Sequence, residues 1–258
     1  MIDEHRARLP WGVRIFLPLM GFLAAVMVVV PSAAQLFAAI GLPKQAVGYA
    51  SLLVMSGAAV LIAYCLQRFV DRRPWAALDI TLNRAIGPLL LGVLISAAVM
   101  TCANAVYVVM GAAEWRTGFR PDGLFLALLA AMLGQALPEE VLFRGYLFAT
   151  VLRERPMATA VVTSALVFGS FHIFSSGGTT SFGQQVLYTL MACCLGFALA
   201  ACRAASGTIW LAVGFHTGHN TVGGAFTDTN PGLYSLEIVL HGVVLLLAGA
   251  CALWWSRR

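Results

Sequence analysis

Apolar residues run along this chain in long blocks separated by short polar clusters. They show neither the strict alternation of a half-buried strand nor the three-and-four spacing of a surface helix. About 20 apolar residues cross a bilayer as a helix. Blocks of that order lie at 15–40, 46–67, 86–110, 123–152, 157–174, 184–202, 207–225 and 235–255. The breaks have local causes: Gly41-Leu42-Pro43-Lys44, Arg72-Arg73-Pro74, Arg120-Pro121-Asp122-Gly123, Arg153-Glu154-Arg155-Pro156, Ser175-Ser176-Gly177-Gly178 and Asn230-Pro231-Gly232. The pattern predicts an all-α polytopic membrane helix bundle of about eight transmembrane helices. No internal repeat or low-complexity stretch divides it, so residues 1–258 read as one domain. The first apolar block lacks a clear small-residue cleavage site and is expected to stay as a membrane anchor rather than leave as a signal peptide.

Composition agrees with that pattern. Hydrophobic residues make up 60% and charged residues 10%; a soluble domain carries about 25% charged residues. Intrinsic disorder needs low hydrophobicity and high charge and is excluded on both counts. The net charge of +5 comes from 15 Arg and one Lys scattered singly between apolar runs. That is not the clustered basic face of a nucleic-acid binder. With a cytoplasmic N-terminus, the inner segments hold Arg6, Arg8, Arg14, Arg68, Arg72, Arg73, Arg84, Arg153, Arg155, Arg203, Arg257 and Arg258. The outer segments hold only Lys44, Arg116 and Arg120. The positive-inside bias then predicts both termini in the cytoplasm, and the expected location is the plasma (inner) membrane of a bacterium. Six cysteines, Cys65, Cys102, Cys193, Cys194, Cys202 and Cys251, all fall in apolar stretches and read as small apolar residues.

Polar chemistry inside the blocks is concentrated in three places: Pro138-Glu139-Glu140-Val141-Leu142-Phe143-Arg144, Phe168-Gly169-Ser170-Phe171-His172 and His216-Thr217-Gly218-His219-Asn220. An ionised side chain at the bilayer centre costs at least ~2.5–3.5 kcal/mol, so these residues are expected to face the bundle interior or a wet cavity. On a regular helix Glu140 and Arg144 lie about 40° apart and can pair, whereas Glu139 lies about 140° from Arg144. Glu140–Arg144 therefore reads as a buried structural pair, with Glu139 aimed into open space. Pro138 removes a backbone donor just before them and tends to kink the helix. A purely structural ion network is the competing reading of this cluster. His216 and Asn220 project from one face at i,i+4, and His219 can share it. A lone membrane histidine is usually a helix–helix hydrogen-bonding group. His5 and His241 read as surface or packing residues, Glu237 as an interfacial anchor and Asp228 as an outer-loop residue.

Two glutamates, two histidines and an asparagine are what water-mediated hydrolysis needs. A carboxylate takes a proton from water, and imidazole and amide donors stabilise an oxyanion. Glu139, His172 and His216 could equally hold Zn²⁺ with one position open for water. Asn220 would then have no ligand role, which favours the metal-free reading. There is no H-E-x-x-H helix and no G-x-S-x-G elbow.

The ordered set Glu139-Glu140…Arg144, Phe168…His172 and His216…Asn220 resembles the CPBP family, also called the CAAX-protease and bacteriocin-processing or abortive-infection family. The likeness covers roughly residues 120–225. It implies an intramembrane endopeptidase acting on membrane-associated, lipidated or peptide substrates. Glu139 and His172 would be the water-activating pair, His216 and Asn220 the oxyanion donors, and Glu140 and Arg144 supporting residues. Such proteins are commonly classed as metalloproteases. The prenylated specificity of eukaryotic members is not carried over, because no prenyl site is legible here. Expected partners are a membrane-associated peptide or protein substrate and the lipid bilayer, with no nucleic acid. Two alternatives come from other classes: an ion-coupled transporter using the buried carboxylates, and a non-catalytic immunity or scaffold protein.

Overall fold

The computed structural model describes residues 9–116, 123–175, 177–223 and 226–256. His5, Arg6, Arg8, Arg120, Pro121, Asp122, Ser176, Arg257 and Arg258 from the sequence reading lie outside them. Among the described residues seven helices are long and apolar enough to cross a membrane: α1 (Trp11–Ala39), α2 (Lys44–Val70), α3 (Ile86–Val109), α4 (Leu124–Leu152), α5 (Met157–Phe174), α6 (Phe182–Ser206) and α8 (Pro231–Trp255). The chain is an integral membrane helix bundle. The block at 207–225 forms α7 (Trp210–Val222), with 13 residues. At 1.5 Å per residue it measures about 20 Å, short of the ~30 Å hydrocarbon core. Most of α7 is buried against other helices rather than facing lipid.

Contacts among the connections show how the helices alternate. At one end, Asp71 after α2 accepts from Arg14 of α1 at 2.9 Å, from Tyr146 Oη of α4 at 3.1 Å and from Arg153 after α4 at 2.6 Å. Arg14 also pairs with Glu154. Arg203 near the end of α6 meets Asp79 at 3.1 Å, and the indole of Trp210 donates to the Thr81 carbonyl at 2.6 Å. At the other end, a short strand β1 (Ala113–Trp115) pairs antiparallel with β2 (Thr227–Thr229), with Glu114 opposite Asp228. Asp228, expected in a loop, thus lies in a strand. Its carboxyl is held below the usual carboxylate range by the Arg116 guanidinium, 2.6 Å away. Tyr234 at the start of α8 donates to the Gly177 carbonyl before α6 at 2.6 Å. Successive connections therefore lie at opposite ends, and α7 completes the alternation despite its length.

Small residues let α7 approach closely. Gly214 and Gly218 form a G-x-x-x-G step facing Gly92 and Ser96 of α3, the spacing that brings membrane helices into backbone contact. A Cβ on Gly214 would collide with the backbone of Leu89, and one on Gly218 would sit 2.9 Å from the Val93 carbonyl. The opposite side of this step carries His216, so the close packing on α3 fixes where that imidazole points.

Helix α4 is not regular. Wider turns bonded i to i+5 occupy Met132–Ala136 and Val141–Leu147, on either side of Leu137–Glu140. Pro138 has no N–H to offer the turn before it. The carbonyl of Leu133, five residues earlier, instead accepts from Ser56 Oγ of α2 at 2.6 Å. Wide turns of this kind often mark functional sites. The six cysteines are free; Cys202 is buried, while Cys102 and Cys251 are exposed on the bundle surface.

The α3–α7 contact gives a stability prediction. Gly214→Val has no room and is expected to lose at least about 1–3 kcal/mol through overpacking. Gly57→Val on α2, where an added Cβ meets nothing within 4 Å, is the matched control. Folded yield on detergent gel filtration should fall for the first and hold for the second; equal yields would show that α7 is free to move off α3.

Candidate active site

Glu140 and Arg144 have no solvent exposure, and Arg144 Nη1 donates to Glu140 Oε1 at 3.1 Å. The guanidinium also donates from Nη2 to the Gly196 carbonyl of α6 at 2.9 Å. It lies over the Phe168 ring of α5, 4.4 Å from the centroid, a cation–π contact that gains strength where water is excluded. Glu140 Oε1 accepts a second hydrogen bond from His216 Nδ1 of α7 at 2.9 Å. One ion pair therefore touches the three other helices, α5, α6 and α7, that form the site with α4.

Glu139 takes no part in that pairing. Its Oε2 is buried without a hydrogen-bond partner, and His216 Nε2 lies 3.8 Å away. That gap is too long for a direct hydrogen bond. A cavity of about 270 Å³ adjoins it, lined among others by Gln135, Glu139, His172, Tyr188, His216 and Asn220. An unpartnered carboxylate oxygen beside a polar space of this size is where ordered water belongs.

His172 ends the regular part of α5, and its Nδ1 donates to the Phe168 carbonyl at 2.9 Å. With its proton committed there, Nε2 of the neutral ring is an acceptor. The Phe168 ring, 4.7 Å from the imidazole by centroids, packs beside it. Phe168 thus touches both Arg144 and His172. Asn220, in the last turn of α7, donates from Nδ2 to Gln135 Oε1 of α4 at 2.9 Å and accepts at Oδ1 from His219 Nδ1 at 2.9 Å. His219 Nε2 meets His241 Nε2 of α8 at 3.0 Å.

All four proposed reacting residues, Glu139, His172, His216 and Asn220, border the one cavity. Sequence reasoning missed Gln135, whose signal was its i,i+4 spacing from Glu139, and it took His241 as a packing residue. Among the described residues no group of three or more His, Cys, Asp or Glu is arranged to hold a metal ion. A second cavity of about 430 Å³ lies between α1, α2, α4 and α5. Its walls are mainly apolar, with Phe22, Met27, Met55 and Phe171 among them, and it shares Gln135, Glu139 and His172 with the first.

Residues 121–222 match the family model of type II CAAX prenyl endopeptidases of the Rce1-like kind. The matched segment carries all three motifs and agrees with the likeness to the CPBP family that they carry. No curated protein matches the chain.

The two glutamates should separate experimentally. Arg144→Ala takes from buried Glu140 its guanidinium partner and leaves it only the His216 hydrogen bond, and is expected to cost about 3–5 kcal/mol and to lower folded yield. Glu139→Gln removes no ion pair of that kind and should leave yield near wild type. Equal losses on detergent gel filtration would refute the division.

Proposed function

We propose that the protein is an intramembrane endopeptidase that hydrolyses a peptide bond of a membrane-associated or lipidated substrate with a water activated by Glu139 and His172. The observation that carries this reading is the polar cavity bordered together by Glu139, His172, His216 and Asn220. The family match, to endopeptidases of prenylated CAAX peptides by its description, supports it. Residues 1–258 are taken to act as one protease domain.

The chemistry follows from the hydrogen bonds. The water gives a proton to the Glu139 carboxylate and donates its other hydrogen to His172 Nε2 while its oxygen attacks the scissile carbonyl. The carbonyl oxygen, turning into an oxyanion, takes donors from Asn220 Nδ2 and His216 Nε2. His216 already donates from Nδ1 to Glu140, so it can donate from Nε2 as well only as an imidazolium. Glu139 and Glu140 on either side stabilise that charge. Glu139 then delivers its proton to the leaving amine. No step is routed through a metal. The apolar cavity takes the hydrophobic part of the substrate, whose peptide would cross to the polar cavity at Gln135, Glu139 and His172.

On this reading purified Glu139→Gln loses turnover while staying folded, and Asn220→Ala loses about 10²–10³ of it. The assay is cleavage of a lipidated peptide in detergent, with and without metal depletion, next to comparative proteomics of membranes holding wild type or Glu139→Gln. Unimpaired Glu139→Gln would remove the proposed base. Cleavage abolished by depletion and restored by stoichiometric zinc would replace the metal-free scheme.

The end carrying Arg14, Arg68, Arg72, Arg73, Arg153, Arg155 and Arg203 is proposed to face the cytoplasm of a bacterial inner membrane. Reporter fusions at residue 80 and beyond α8 should both read cytoplasmic, and a periplasmic signal at either would reverse or break the scheme.

A further inference from the structure

Asn220 can serve as an oxyanion donor only if its amide nitrogen, not its oxygen, is available to the cavity. The two ends of a carboxamide are nearly the same size, so packing alone does not choose between them. Neighbouring hydrogen bonds make the choice. Asn220 Oδ1 can only accept, so His219, 2.9 Å away at Nδ1, must carry a proton there. The neutral imidazole then has a bare Nε2. That Nε2 lies 3.0 Å from His241 Nε2, and two bare nitrogens cannot bond, so His241 must bear its proton on Nε2. On the other side, Asn220 Nδ2 gives one hydrogen to Gln135 Oε1 at 2.9 Å and keeps its second. The donors run in one direction from α8 through α7 to α4.

We propose that His241 and His219 are positioning residues, a tautomer relay that holds the Asn220 amide with its N–H toward the cavity. His241 sets the tautomer of His219, and His219 sets the orientation of Asn220. The logic is that of a triad carboxylate, which orients an imidazole without touching the substrate. It also gives two residues outside the water-activating pair a defined job: His219, which the motif leaves over, and His241, on a helix that is not among the walls of the polar cavity.

This inference rests on the proposed role of Asn220, and its test separates the two. In ¹⁵N-histidine-labelled wild-type protein in detergent, His219 should show a protonated Nδ1 and a bare Nε2. His241→Phe, which keeps a ring but no donor, should release that preference. This readout does not depend on turnover. In the cleavage assay His241→Phe should lower kcat about tenfold with KM nearly unchanged, a fraction of the 10²–10³ that loss of an oxyanion donor costs. His241→Gln, which restores an N–H, should recover most of it. In an Asn220→Ala background His241→Phe should cost nothing further, because two changes acting through one group are not additive. A wild-type His219 protonated on Nε2, or the same fold loss in both backgrounds, overturns the relay. Normal turnover by Glu139→Gln instead overturns the water-activation scheme and leaves the tautomer result standing.

Discussion

Glu140 and Arg144 have no exposure at all, and in the interior of a membrane protein neither charge can be left without the other. Breaking such a pair costs about 3–5 kcal/mol, much of it the penalty of stranding the remaining charge. The pair also accounts for the arrangement around it. Arg144 reaches the Gly196 carbonyl of α6 and the Phe168 ring of α5, and Glu140 reaches His216 of α7. A shift of any one of these helices would leave a buried charged or polar group short of a partner. The site residues are thus held around one internal ion pair.

The same need for buried partners explains a short helix in a membrane fold. Helix α7 has too few residues to span the hydrocarbon comfortably, and its surface holds His216, His219 and Asn220. Such a helix is tolerated when protein, not lipid, surrounds it. Gly214 and Gly218 permit close contact with α3 on one side, and Glu140 and Gln135 engage its polar residues on another. Backbone proximity on the glycine side and hydrogen bonds on the polar side fix the rotation of α7 about its axis.

What the sequence disclosed and what it hid divide along the range of the interactions. The membrane class, the helical blocks and the i,i+4 pairing of Glu140 with Arg144 follow from local rules, since each needs only hydropathy or the pitch of one helix. Contacts across long sequence separations were not legible. His216 meets Glu140 across 76 residues, and His241 in an apolar helix offers no local sign of the imidazole it faces. The helix-angle reading also assumed an unbroken α-helix, whereas wide turns flank Leu137–Glu140. Pairing at i,i+4 tolerated that change because Glu140 and Arg144 are tied directly by a hydrogen bond. The β1–β2 pair escaped notice because three-residue strands have too few positions to show an alternating pattern. Ser56 escaped it because Pro138 creates the need for a donor, but nothing near Pro138 in sequence says which helix supplies one.

Charge balance links this architecture to the proposed chemistry. The charges of Arg144 and Glu140 sum to zero, so the net charge of the site is set by Glu139 and His216, which face each other across 3.8 Å. In a weakly polar interior two combinations are then favourable: both ionised or both neutral. On the proposed reading the reaction begins in the first. When Glu139 accepts a proton from water and the oxyanion forms against the His216 imidazolium, one negative charge has moved from carboxylate to oxyanion and none has been created. Moving a charge between two prepared positions avoids the desolvation penalty of making a new one. A hydrolysis that conserves charge within one small polar cavity is therefore compatible with surroundings as apolar as the adjoining space between α1, α2, α4 and α5.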